Sequence, residues 1–127
     1  MAQGATGIVT IVEENFDNTK LISWAWSGGT AETALASATT TAYYTGKLLF
    51  CVTVPGNGAP ADNYNVTILD KNDVDVLADG GLARSTNTTE SILDASLGAV
   101  AHSQLELVVK DSGSAGTETG TVYLWIR

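Results

Sequence analysis

Cysteine and histidine are nearly missing from this chain: Cys51 and His102 are the lone examples in 127 residues. One thiol cannot close an internal disulfide, and the pair falls short of the His/Cys sets that hold structural zinc. Disulfide frameworks and zinc sites are thereby excluded. Basic residues are scarce as well, 6 against 14 acidic ones, giving a net charge of -8. Such a chain repels a phosphate backbone rather than releasing its counterions, which argues against a nucleic-acid partner. No segment approaches the roughly 20 continuous apolar residues of a membrane-spanning helix, and the N-terminus lacks the basic-then-apolar order of a signal peptide. The expectation is a protein made in a cytoplasm, with no membrane partner. Two N-x-Thr sequons begin at Asn65 and Asn87, and without a secretory signal they read as products of a Thr-rich composition.

Charged residues are only 16% and apolar ones 44%, so charge repulsion does not keep the chain disordered. The length suits one domain with one core. Met1 to Gly7 is small and polar and reads as a flexible arm before a β domain spanning residues 8–127. Apolar residues recur mostly at every second position, the spacing that places alternate side chains on one face of a strand. Ile8 to Glu14 is the first strand, and Lys20 to Ser27 the second, with Ile22, Trp24 and Trp26 on one face. Ala31 to Ala42 reads as a loop or weak edge strand, with a short helix considered around Ala31 to Ala38. Gly46 to Val54 reads as a central strand buried on both faces, stopped by the Pro55 to Pro60 turn. Tyr64, Val66 and Ile68 mark the next strand, joined through Lys71-Asn72-Asp73 to a short run, Val74 to Leu77, as a hairpin. Asp79 to Glu90 is a polar loop, and Ser91 to Ala99 is ambiguous between a strand and a helical turn. Gln104 to Lys110 and Thr121 to Arg127 form a last hairpin, the first carrying Leu105, Leu107 and Val109, the second Val122, Leu124 and Ile126. Seven or eight such strands predict an all-β fold, an antiparallel sandwich or barrel. Phe50, Val52, Val66, Ile68, Leu107 and Leu124 are expected to share its core.

Candidate chemistry is thin. Asp70, Asn72, Asp73, Asp75 and Asp79 invite a calcium loop, but counting from Asp70 puts Asp75 where the turn needs glycine and Gly81 where a bidentate glutamate belongs. A solvated acidic turn is the expectation. His102, Ser103 and Asp94 could suggest a serine hydrolase, yet there is no nucleophile elbow and no second histidine. Cys51 lies mid-strand, where a thiol is an inert small hydrophobe. Trp24, Trp26, Tyr43, Tyr44, Tyr123 and Trp125 could form a sugar-stacking platform or fill the core. Burial or exposure of Trp24 and Trp26 separates the two. No catalytic residue, metal ligand or cofactor is expected.

Several stretches are familiar together: Tyr44-Thr45-Gly46-Lys47 leading to Val52-Thr53-Val54-Pro55, then Ala59 to Thr67, Asp73 to Leu77, Thr86 to Glu90 and the closing Val122 to Arg127. With these the chain resembles small virion proteins from the structural modules of tailed bacteriophages, over roughly residues 40–127. The resemblance implies a non-enzymatic particle component, a capsid decoration or cement protein whose partners are the major capsid protein or other virion proteins. It also implies a virion location and symmetric self-association, with a trimer favoured. A carbohydrate- or receptor-binding module of a phage tail or fibre is the rival reading.

Overall fold

Alternation of apolar and polar side chains yields strands throughout. The computed structural model describes residues 7–28, 36–58, 60, 64–93, 97–110 and 118–127. Among these there are nine strands and no helix: β1 (Ile8–Phe16), β2 (Thr19–Ser27), β3 (Ala36–Thr39), β4 (Tyr44–Pro55), β5 (Asn65–Leu69), β6 (Glu90–Leu93), β7 (Ala99–Ser103), β8 (Glu106–Lys110) and β9 (Thr119–Ile126). All strand pairing is antiparallel. The larger sheet runs β1-β2-β9-β4-β6, with β7 also on β4, and the smaller runs β3-β8-β5. The long β4 shares one edge between two short strands: β7 pairs with its first third and β6 with its middle.

The inner faces of the two sheets meet in one core. Ile22, Trp24, Trp26, Leu48, Cys51, Val122, Leu124 and Ile126 come from the larger sheet, and Val66, Ile68, Leu107 and Val109 from the smaller. Each of the larger aliphatic side chains contributes about 1.5–3 kcal/mol by leaving water. The β1–β2 connection is a two-residue turn in which Asp17 takes the left-handed region, at φ 60°, a conformation aspartate tolerates better than most residues. Gly120 lies directly opposite Trp26, and a Cβ there would sit 2.5 Å from the indole. Only glycine lets the ring lie so close to the strand.

The structure corrects the reading of β4. A register irregularity between Leu48 and Phe50 inserts Leu49 as an extra residue against β9, and one extra residue turns every later side chain to the opposite face. Leu48, Cys51 and Thr53 therefore point inward and are buried, whereas Phe50 and Val52 leave the core and face outward. Val66, Ile68, Leu107 and Leu124 do share the core.

The last hairpin is also corrected. β8 and β9 belong to different sheets, β8 between β3 and β5 and β9 between β2 and β4, so the two do not pair as a hairpin. Val74 to Leu77 is not a strand: Leu69 and Asp75 form one isolated bridge, and the chain then turns through Val76–Gly80. Around the ambiguous segment, Glu90–Leu93 is a strand. Ala36–Thr39 is the weak edge strand, which corrects the short helix considered around Ala31 to Ala38 over Ala36 to Ala38; residues 31–35 lie outside the described ones. β7 is a strand the periodicity did not mark, and His102 lies within it. Residues 1–6 of the expected arm lie outside the described residues.

Candidate functional site

The outer face of the larger sheet is the most unusual surface of the molecule. Strand register places Leu21, Trp125, Phe50 and Leu93 in one cross-strand row, and Ser23, Tyr123, Val52 and Ser91 in the next. Val12 sits beside Ser23 and Glu14 beside Leu21. Trp125 is stacked with Phe50 at 5.6 Å and 20°, and with Phe16 at 6.3 Å and 27°. Ile8 is 72% exposed, Leu93 64%, Phe16 51% and Val12 50%. Glu14 on β1 and Lys47 on β4 are the charged side chains on the outward positions of these strands. Outer sheet faces are normally polar. The smaller sheet obeys that rule, turning Ser37, Thr39, Asn65, Thr67, Glu106 and Lys110 outward, interrupted by Val108 and Leu69.

Trp24 and Trp26, by contrast, are 0% and 2% exposed, and Trp26 lies against Tyr64 at 5.5 Å. They fill the core and form no platform. Of the other aromatics proposed from sequence, Tyr123 and Trp125 fall on the outer face, Tyr44 is buried and Tyr43 is 58% exposed at the end of the sandwich. Phe50 and Phe16 complete the outer row and were missed. The signal for Phe50 was hidden by the bulge.

The acidic loop is organised around backbone N–H groups. Asp70 Oδ1 accepts from Asn72 and Val74 at 2.8 and 3.1 Å. Asp75 accepts from Ile68 and Leu77 through Oδ1, both at 3.1 Å, and from Asp79 through Oδ2 at 3.0 Å. Both carboxylates are engaged in holding turns. Asp73 and Asp79 are exposed, and no group of three or more metal-ligating side chains gathers among the described residues. Ser103 is buried, its hydroxyl donating to the Gln104 carbonyl at 2.6 Å and accepting from Lys71 N at 2.9 Å. The neighbouring His102 stacks on Tyr43 at 4.9 Å. Burial pushes the Cys51 thiol up to about 12, so it stays protonated and unreactive. Asp94 lies outside the described residues.

One site residue had no sequence signal. Glu13 accepts from the Thr41 hydroxyl at 2.8 Å and the Tyr44 hydroxyl at 2.6 Å, and from the Thr41 and Ala42 amides, both at 3.2 Å. Burial pushes its carboxyl up, but these bonds to the charged form outweigh it and leave it below its ordinary value. Burial first, and then the same bond, push the Tyr44 phenol well up. Glu13 thus clamps the segment that carries Tyr43.

No family model and no curated protein matches the chain. Among solved structures, a low-affinity xylan-binding module from Roseburia intestinalis is similar, at 11% identity and a TM-score of 0.36, over 98% of this chain and 87% of that one. So distant a likeness carries no argument about ligand or partner.

Proposed function

We propose that the chain is a non-catalytic structural subunit of a tailed-phage particle, a capsid decoration protein that attaches through the outer face of its larger sheet. The observation that supports this reading is the open outer face, where Ile8, Val12, Phe16 and Leu93 are exposed and Glu14 and Lys47 are the charged strand positions, on an otherwise acidic molecule. Five strands at roughly 4.8 Å spacing and about seven residues at 3.3 Å make a face of about 550 Å². That whole-face area, polar positions included, compares with the roughly 800 Å² per partner of a standard protein interface, and the largest apolar patch of a monomer, about 300–600 Å², is often functional. The virion setting itself comes from the sequence resemblance over roughly residues 40–127. Burial of Trp24 and Trp26 supports a structural role over a sugar platform at those rings. Nor does the outer row suit a sugar. Phe16 approaches Trp125 from the β2 side and Phe50 from the β4 side, so the indole's faces are turned to its neighbours.

Co-sedimentation with particles stripped of the native protein tests the proposal. Val12→Asp and Leu93→Asp place charge at exposed positions, so both variants should melt as the parent does while losing attachment. Attachment unchanged in the double variant would reject the face as the anchor, and no attachment of the parent chain would reject the virion assignment.

A further inference from the structure

A cleft of about 410 Å³ opens where the outer face of the smaller sheet meets the loop Asp70 to Asp73, with Tyr43 and Gln104 at its margin. Its volume falls in the range of small-molecule sites. Tyr43 is its aromatic wall. One side of that ring is stacked on His102, with planes 19° apart, yet the residue remains 58% exposed. Both halves of the stack are held in place. Glu13 bonds to Thr41, Ala42 and Tyr44 on either side of Tyr43. His102 sits in the left-handed region at φ 47°, its N–H donating to Thr45 Oγ1 at 2.8 Å. A non-glycine residue kept there within a strand is a conformation that surrounding structure must enforce.

The polar groups of the cleft are acceptor-rich and partly pre-oriented. Gln104 donates Nε2 to the Thr40 carbonyl at 2.9 Å, which fixes the amide and leaves its oxygen as the acceptor. Asp70 uses Oδ1 for the turn, leaving Oδ2. Glu106 stands between Thr39 and Leu69 on the sheet floor, and Lys71 supplies a cation. An aromatic face beside several oxygen acceptors matches a ligand with an apolar C–H face ringed by hydroxyl donors. Three carboxylates, Asp70, Asp73 and Glu106, against one lysine disfavour an anionic ligand.

We propose that this cleft is a saccharide-binding subsite, in which Tyr43 stacks on a neutral pyranose and Asp70, Gln104 and Glu106 accept hydrogen bonds from its hydroxyls. The subsite lies on the sheet opposite the proposed docking face, so a subunit attached through the larger sheet turns it outward. It stands independently of that attachment.

Affinity electrophoresis of the full chain in gels containing hydroxyethylcellulose, galactomannan or dextran, with polygalacturonate as the anionic control, tests the assignment. At least one neutral polymer should retard the parent chain. Tyr43→Ala should weaken that binding by about tenfold or more, the equivalent of about 1.4 kcal/mol, while Tyr43→Trp retains it and Glu106→Gln weakens it severalfold. All three variants should keep the parent's melting temperature, since the altered side chains are exposed or half-exposed. Failure of every neutral polymer to retard the parent, retardation by polygalacturonate alone, or undiminished binding by a folded Tyr43→Ala variant would each overturn the proposal.

Discussion

Phe50 and Leu124 are both apolar strand residues, and they lie on opposite faces of the same sheet. Leu124 is fully buried, and its truncation to alanine should cost about 2–5 kcal/mol through lost transfer energy and the cavity left behind. Phe50 is half-exposed and rests on Trp125, so Phe50→Ala should cost only about 1 kcal/mol, mostly the lost ring contact. Urea melts of the two variants make the comparison, and equal losses would place Phe50 back in the core. Cys51 offers a second check at this scale. With the thiol buried and its pKa pushed up to about 12, a maleimide should fail to label native protein at neutral pH and label it fully once urea unfolds it. Rapid native labelling would contradict the inward phase of β4 after the bulge.

At the scale of elements, what the sequence disclosed and what it hid follow from how far each signal reaches. β1, β2, β5 and β9 were legible because unbroken alternation leaves a mark at every second residue. The bulge in β4 left none, since Leu48, Leu49 and Phe50 are all apolar and either phase reads equally well. The partners of β8 and β9 were hidden for a different reason: alternation marks a strand's faces but not which sheet it joins. The clamp at Glu13 joins residues 28 to 31 positions apart, beyond any local pattern, and the aromatic set named from sequence included Tyr43 without its stack on His102. Two element-scale predictions follow from these contacts. Gly120→Ala forces Trp26 or the strand to move, and overpacking of this kind should cost about 1–3 kcal/mol, with a shift in tryptophan fluorescence as the companion signal. Glu13→Gln should destabilise the fold at neutral pH by about 1 kcal/mol, as a charged acceptor of several bonds is replaced. Because the folded carboxyl lies below its ordinary value of 4.5, the stabilisation by the parent carboxylate is complete above that value and fades as pH falls through the lowered one. The gap between parent and variant should therefore close in acid, below about pH 4.5. A gap that widened in acid would mean the clamp works through the protonated form.

For the whole molecule, charge and apolar surface are in opposition. A net charge of -8 makes every copy repel every other, yet the outer face of the larger sheet carries Glu14 and Lys47 as its charged strand positions among apolar and small polar neighbours. Two copies that meet anywhere else bring carboxylates together, while copies that meet on this face bury Trp125, Tyr123, Phe50 and Val52 with little like-charge contact. Long-range repulsion still holds them apart at low ionic strength, and salt removes it, since the screening length falls from about 10 Å at 0.1 M to about 3 Å at 1 M. Hydrophobic attraction between the faces survives that change and is strengthened by salts excluded from protein surfaces. Sedimentation velocity should therefore find a monomer at low salt and low concentration, and reversible self-association as sodium sulfate is raised. The Val12→Asp, Leu93→Asp double variant should stay monomeric across the same series with an unchanged melting temperature. Association that persists in the double variant would move the contact to another surface, and a parent chain that remains monomeric at every salt concentration would reject self-association through this face.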